Sequence, residues 1–264
     1  MFKKFILFST VIFLCLISFF LFQKKSTVLA PKIENKITQI TDKVEEIKET
    51  VAPQPTKILE TGLPDKHLIK TVFVPQSPEK NWDQPWQDAC EEASLLTVDY
   101  YYKKIASADP QTIKNDLLKI FDFEKQQSFT HDVNIDQMAF IAQKYLGYST
   151  KIIKNPTVED IKIYISQNVP IIVPANGKTL YQENKHFKEG GPYYHNLVIL
   201  GYDDNTQKFT VHDVGTQFGA YFKYSYSLLI ESIHNFPSSL KKEDINQGDK
   251  KVLILLQSNH EIKN

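Results

Sequence analysis

The first 25 residues carry a long apolar pattern. Lys3 and Lys4 precede a predominantly apolar run from Phe5 to Phe22, and Lys24 and Lys25 follow it. Eighteen residues of helix span about 27 Å, close to the roughly 30 Å hydrocarbon core of a bilayer. The pattern therefore predicts a single membrane-spanning helix at the N-terminus.

This segment is predicted to remain uncleaved. A signal peptidase site would have to use Val28-Leu29-Ala30, which fits the small-x-small pattern poorly. A short tail before the anchor and a long domain after it favour a single-pass topology with the C-terminal domain outside the cytoplasm. If the segment is cleaved instead, the protein is secreted.

A charged helical pattern follows the apolar run. Its apolar positions repeat with the spacing 4-3-4-3-4, at Ile33, Ile37, Ile40, Val44, Ile47 and Val51. Fewer than three heptads rarely form a stable coiled coil, so the pattern predicts a solvated stalk, with weak self-association through residues 33–51 as the alternative. Prolines at 53, 55 and 64 then break the helix. We therefore assign residues 1–25 to the anchor, 26–67 to the stalk and linker, and 68–264 to one domain.

Within the domain, helical patterns precede most strand patterns. Periodicity and end signals predict helices over residues 88–104, 111–120, 135–146, 158–167 and 226–233. The predicted N-caps are Asp88, Asn134 and Thr157, with Glu91 and Asp160 completing capping boxes and Gly147 ending a helix. Short apolar or alternating runs predict strands at 71–74, 170–174, 195–202, 208–214 and 251–257. This order predicts an α+β domain with an antiparallel sheet.

Composition narrows the function classes. Hydrophobic residues make up 42% of the chain and charged residues 23%, which is typical of a globular protein. Thirty-one basic side chains balance thirty-one acidic ones, so no global positive field favours a nucleic-acid partner. The two cysteines, Cys15 and Cys90, are too few for a disulfide framework or a four-cysteine zinc site.

Cys90 is the candidate nucleophile. It lies two residues after the predicted cap Asp88, in a helical first turn, where free backbone N–H groups and the helix dipole favour a thiolate. The alternative is a buried, inert cysteine. The polar, loop-like residues 83–88 before it favour an accessible position.

A nucleophilic cysteine needs a base and a group that orients the base. Among seven histidines, His195 opens an apolar strand directly after a glycine-containing loop. In the strand predicted to pair with it, Asp213 shares a face with Phe209 and Val211, where a carboxylate requires a partner. His195 is the obvious partner, although each residue taken alone could be purely structural.

An oxyanion stabiliser completes such a site. The Cys90 backbone N–H can supply one donor, and a side-chain amide upstream can supply another. Gln76, Gln84 and Gln87 all precede Cys90, and their spacing does not choose among them.

Four stretches together resemble papain-like cysteine peptidases related to the bacteriocin-processing, double-glycine leader peptidases, in particular their stand-alone relatives without a transporter. The stretches are VPQ at 74–76, CEEAS at 90–94, HNLVILGYD at 195–203 and HDVGT at 212–216. The resemblance covers roughly residues 71–258, and the stretch at 195–203 is its most specific part.

The resemblance implies a papain-like fold in which a helix carrying the cysteine packs on an antiparallel sheet carrying histidine and aspartate. It implies Cys90 as nucleophile, His195 as general base and acid, and Asp213 as orienting group, with no cofactor and no metal. Gln76 matches the family's oxyanion position, whereas Gln84 has papain's own spacing. Many relatives have glycine where Glu91 stands and proline where Val214 stands, so substrate preference does not carry over.

The sequence thus favours a membrane-anchored cysteine peptidase that hydrolyses peptide amide bonds of a peptide or protein substrate. Two alternatives share the same fold. One is a catalytically silent papain-like binding module, and the other is an amide hydrolase or acyltransferase acting on cell-wall peptides. Metal-dependent hydrolysis is disfavoured, because the chain has no His-Glu-x-x-His motif or paired cysteines.

Overall fold

A computed structural model of the chain describes residues 62–257. The predicted membrane anchor and residues 26–61 of the predicted stalk and linker lie outside this range. Among the helices of residues 62–257, none combines the length and apolar character needed to cross a membrane.

Six helices are present in the described residues. They are α1 (Cys90–Tyr102), α2 (Pro110–Gln126), α3 (Ile135–Ile141), α4 (Val158–Ser166), α5 (Gly177–Leu180) and α6 (Tyr226–Ser232). The predicted capping boxes of α3 and α4 are confirmed at Asn134 and Thr157. A π turn extends α3 to Gly147, whose φ of 82° ends the helix as predicted.

Seven strands of the described residues form one antiparallel sheet. They are β1 (Lys66–Leu68), β2 (Ser149–Lys154), β3 (Ile171–Asn176), β4 (Tyr194–Asp203), β5 (Lys208–His212), β6 (Phe222–Ser225) and β7 (Lys251–Leu256). The order is β2-β7-β3-β4-β5-β6, and β1 pairs with the far end of β4. The predicted mixed architecture with an antiparallel sheet is confirmed.

The centre of the sheet is covered on both faces. Every residue of β3, and every residue of β4 up to Tyr202, is buried, so burial is continuous rather than alternating. Helix α1 packs against β4, and α4 and α6 contact the same central region. This packing brings the first residue of α1 close to the first residues of β4.

Several predicted boundaries were wrong for identifiable reasons. Residues 71–74 form no strand, because the backbone N–H and C=O of Thr71 bond the Tyr221 hydroxyl, at 3.1 and 2.9 Å, instead of a neighbouring strand. Asp88 does not cap α1, which begins at Cys90; it lies in a preceding 3-10 turn. The Glu91 side chain also turns away from the predicted capping box. Helix α2 begins one residue earlier than predicted, because Asp109 caps it, and it continues beyond the predicted end at residue 120 to Gln126.

Three strands, β1, β2 and β6, were not predicted at all. Strand β2 lies at an edge of the sheet and carries two lysines and a partly exposed pattern, which gives little apolar signal. Strand β6 forms the opposite edge and has only four residues. Strand β1 begins at Lys66, two residues before the predicted start of the domain.

Candidate active site

A cleft of about 710 Å³ lies where α1 meets the start of β4. Cys90, the first residue of α1, and His195, the second residue of β4, both line it, and so does Gln76. Asp213, directly after β5, lies fully buried behind His195. The fold therefore brings together the four residues that the sequence analysis ranked first.

His195 and Asp213 form a buried pair. Nε2 of His195 lies 2.8 Å from Oδ1 of Asp213, and both side chains are almost completely excluded from solvent. Burial alone would raise the pKa of Asp213, but the charge and hydrogen bond of His195 and two further side-chain hydrogen bonds lower it. An ionised Asp213 only accepts hydrogen bonds, so Nε2 carries a hydrogen and Nδ1 is left for another partner.

Sequence reasoning missed the residues that hold Asp213. Oδ2 accepts a hydrogen bond from Asn184 Nδ2 at 2.9 Å and one from the Tyr224 hydroxyl at 2.5 Å. The Gly215 N–H donates to Oδ1 at 3.3 Å. Asn184 lies in the connection between β3 and β4, and Tyr224 lies on the unpredicted edge strand β6, so no sequence pattern pointed to either.

The His195 ring is also fixed by packing. The Phe187 ring meets it edge-on, with centroids 5.2 Å apart. Gly215 lies against another side of the His195 ring. A Cβ added to Gly215 would come within 2.5 Å of Cε1 and 3.2 Å of Nδ1 of His195. The ring therefore has little room to rotate away from Asp213.

Cys90 lies in acidic surroundings. Its Sγ donates to Oε2 of Glu91 at 2.9 Å, and Asn196 Nδ2 lies 4.0 Å from the sulfur. Burial is the main cause that raises the pKa of the Cys90 thiol well above its usual value, and Glu91, Glu92 and Asp132 add to it. The helix terminus favours a thiolate as the sequence analysis expected, but these groups oppose it.

The three candidate glutamines differ in position. Gln76 is buried in the cleft wall, and its Nε2 donates to the carbonyls of Trp86 at 2.9 Å and Gln87 at 3.1 Å. The Gln84 side chain is exposed and donates to Asp88, and it does not line the cleft. Gln87 is exposed at the cleft. The geometry favours Gln76 over Gln84.

His212, the residue before Asp213, has a different environment from His195. His212 is buried beside the rings of Phe73 and Tyr221, and neither of its ring nitrogens has a hydrogen-bond partner within residues 62–257. Burial lowers its pKa to about 4. Nowhere in residues 62–257 do three or more His, Cys, Asp or Glu side chains form a group that could hold a metal ion.

A family model, described as the Peptidase_C39 like family, matches residues 72–236. The match covers more than half of the chain and includes Cys90, His195 and Asp213. The chain belongs to the Peptidase_C39 like family. This membership makes it a cysteine peptidase and confirms the predicted resemblance.

Two solved structures are similar to this C39-like chain. One is a protein from Bacillus anthracis described as a C39-like peptidase, with 14% identity and a TM-score of 0.45, covering 73% of this chain and 98% of that one. The other is Xylellain, a cysteine protease from Xylella fastidiosa, with 12% identity and a TM-score of 0.36, covering 77% and 90%. None of the curated proteins matches the chain.

Proposed function

We propose that this C39-like peptidase hydrolyses peptide amide bonds with Cys90 as nucleophile, His195 as general base and acid, and Asp213 as the residue that orients His195. The observation that carries the proposal is the 2.8 Å contact between His195 and Asp213 in the wall of the cleft that Cys90 also lines. Nucleophile, base and orienting group are the three parts that thiol catalysis needs.

The chemical steps follow from this arrangement. Nδ1 of His195 takes the thiol proton, and the sulfur attacks the amide carbonyl. We assign stabilisation of the oxyanion to the Cys90 N–H and the Gln76 amide, whose Nε2 must give up one of its two bonds to the carbonyls of Trp86 and Gln87 when the oxyanion forms. The imidazolium then protonates the leaving amine and leaves an acyl-thioester. Water, deprotonated by His195, hydrolyses the thioester and restores the thiol.

A peptide-library experiment tests the proposal. The purified full chain is incubated with a mixed peptide library, and new termini are identified by mass spectrometry. Cys90→Ala and His195→Ala should abolish cleavage, while His67→Ala should retain it, because His67 lies on β1 at the opposite end of β4. Cleavage by Cys90→Ala at the wild-type rate would refute the proposed nucleophile.

The same experiment separates the other functions of this fold. An excess of a primary amine is added to test for acyl transfer. If the acyl group is transferred to the amine, the product is an amide instead of the free acid. Cell-wall peptides in the library report a preference for that substrate class. A folded wild-type protein that neither cleaves nor transfers any peptide, and whose Cys90 resists thiol probes, would be a binding module instead.

For the N-terminal region we propose a membrane anchor over residues 1–25 with the peptidase domain outside the cytoplasm, followed by a solvated stalk and linker over residues 26–67, with weak self-association through residues 33–51 as the alternative. The apolar run and the heptad spacing support this. Protease treatment of intact cells should release the domain, and its complete protection would contradict the topology. Sedimentation of the detergent-solubilised chain should show a monomer at all concentrations; a concentration-dependent dimer would instead support self-association through residues 33–51.

A further inference from the structure

Glu91 makes a contact with the candidate nucleophile that the mechanism above does not use. Its carboxyl group is completely buried, and Oε2 lies 2.9 Å from Sγ of Cys90. The other oxygen, Oε1, accepts a hydrogen bond from the Val133 backbone N–H at 3.2 Å. Because Oε1 is occupied, a proton on the neutral carboxyl group would lie on Oε2 and point at the sulfur.

No cation among the described residues balances this carboxylate. Within residues 62–257, Glu91 forms no salt bridge. The titratable groups around it are Cys90 and Glu92 on α1, Glu124 on α2, Asp132 before α3 and Tyr194 on β4, and His195 lines the same cleft as Cys90. Burial, and then the charges of Asp132 and Glu124, raise the pKa of Glu91 well above its usual value, although the Cys90 hydrogen bond partly opposes this.

We propose that Glu91 is a further catalytic residue that shares one proton with Cys90. This inference rests on the proposed role of Cys90 as nucleophile. The pair carries one negative charge and exists in two forms, a thiol beside a carboxylate and a thiolate beside a carboxylic acid. Only the second form attacks the substrate, so in this form of the mechanism Glu91 rather than His195 holds the thiol proton, and His195 enters as the imidazolium whose proton goes to the leaving amine.

The exchange between the two forms balances without another reactant. The S–H bond of Cys90 breaks, an O–H bond forms at Oε2 of Glu91, and the negative charge moves from the carboxylate to the sulfur. The neutral acid then donates its hydrogen bond to the thiolate and stabilises it. Two negative charges at this distance in a buried site are unfavourable, so the second proton leaves only at much higher pH.

Proton sharing gives a distinctive pH profile. As pH rises, the first proton leaves the pair, and a fixed fraction of the molecules becomes thiolate. This fraction stays constant until the second proton leaves, so thiol reactivity rises in two steps separated by a plateau. In Glu91→Gln the amide can donate to the sulfur while its oxygen still accepts from Val133, so reactivity should rise in one step to full thiolate.

The test measures iodoacetamide alkylation of the full chain from acidic to alkaline pH, with Cys90 and Cys15 peptides quantified separately by mass spectrometry. Wild type should show two steps, and Glu91→Gln should lose one of them and show a single step, because an amide cannot take up the thiol proton. Glu92→Gln is the matched control, since this neighbouring buried carboxyl group does not contact the sulfur, and it should keep both steps.

Parallel measurements in His195→Ala separate this inference from the proposed function. Two steps that persist without His195 support proton sharing with Glu91. If the two steps are lost in His195→Ala, proton sharing between Cys90 and Glu91 is refuted, while pairing between Cys90 and His195 still holds. If the His195→Ala profile is identical to that of wild type, pairing between Cys90 and His195 is refuted, while the proposed role of Glu91 still holds. A single step in wild type overturns the inference even if Glu91→Gln does not fold, and so does a Glu91→Gln profile that matches wild type.

Discussion

The side-chain amide of Asn184 donates to Oδ2 of Asp213 across 2.9 Å, in a part of the protein where both residues are completely buried. Asn184 belongs to the connection between β3 and β4, and Phe187 of the same connection packs against His195. This connection therefore supplies contacts to two residues of the proposed triad. The connection between β3 and β4 therefore helps to hold His195 and Asp213 in position.

Replacing Asn184 with alanine should lower kcat by about tenfold or more, because a hydrogen bond to a buried carboxylate is lost. Because the Asn184 hydrogen bond helps to lower the pKa of Asp213, its loss should also move the acid limb of the activity profile to higher pH. The measurement is kcat against pH on the library-derived substrate. Lys185→Ala, at the exposed neighbouring position, is the control, and an unchanged acid limb in Asn184→Ala would show that the bond is only structural.

Local sequence patterns correctly predicted several helix ends and buried strands. The caps at Asn134 and Thr157, the stop at Gly147 and the buried strands β3, β4 and β7 all follow from local periodicity or end chemistry. Cys90 and His195 were singled out as candidates because each stands at the start of such an element. These features depend on residues within a few positions of each other.

What the sequence did not reveal depends on contacts between distant segments. Tyr221 replaces a strand partner for Thr71, and Asn184 and Tyr224 reach Asp213 from elements with no functional signature. The acidic surroundings of Cys90 come partly from Asp132, on a separate loop. No periodicity encodes such contacts, because they arise only when the sheet and helices assemble.

Gly215 should be required for catalysis because of its size. A Cβ at this position would come within 2.5 Å of Cε1 of His195 and 3.1 Å of the Phe187 ring, so Gly215→Ala must displace the imidazole. We expect kcat to fall by about tenfold or more, since small misplacements of catalytic groups are costly, with a smaller change in KM. Gly62→Ala is the control, because no atom lies within 4 Å of its added Cβ. Equal kinetics for the two variants would mean that the ring adapts freely.

Glu124 should make the stability of the domain depend on pH. Burial raises its pKa from 4.5 to about 7, and it interacts with the buried Glu92. The folded state therefore binds more protons than the unfolded state between these values. Its contribution is fully present below pH 4.5 and is lost as pH rises towards 7, by up to about 3 kcal/mol.

Thermal or urea unfolding of Glu124→Gln between pH 4.5 and 8 checks this dependence. The variant should show a smaller decrease in unfolding free energy than wild type as pH rises through this range; part of the decrease remains, because burial also raises the pKa values of Glu91 and Glu92. Glu243→Gln, which removes an exposed carboxylate, should follow the wild-type curve. If all three proteins give parallel curves, the pKa of Glu124 is not raised in the folded state.

Gln76 and Gln84 offer a direct choice between two oxyanion donors. Gln76 lines the cleft and is held by the carbonyls of Trp86 and Gln87, whereas Gln84 is exposed and bonded to Asp88. Gln76→Ala should reduce kcat by about 10²–10³, the usual effect of losing one oxyanion donor. Gln84→Ala should leave kcat within about a factor of two, because its side chain does not reach the cleft. Alkylation of Cys90 should change little in either variant, since it forms no oxyanion, so a selective loss of turnover in Gln84→Ala would reverse the assignment.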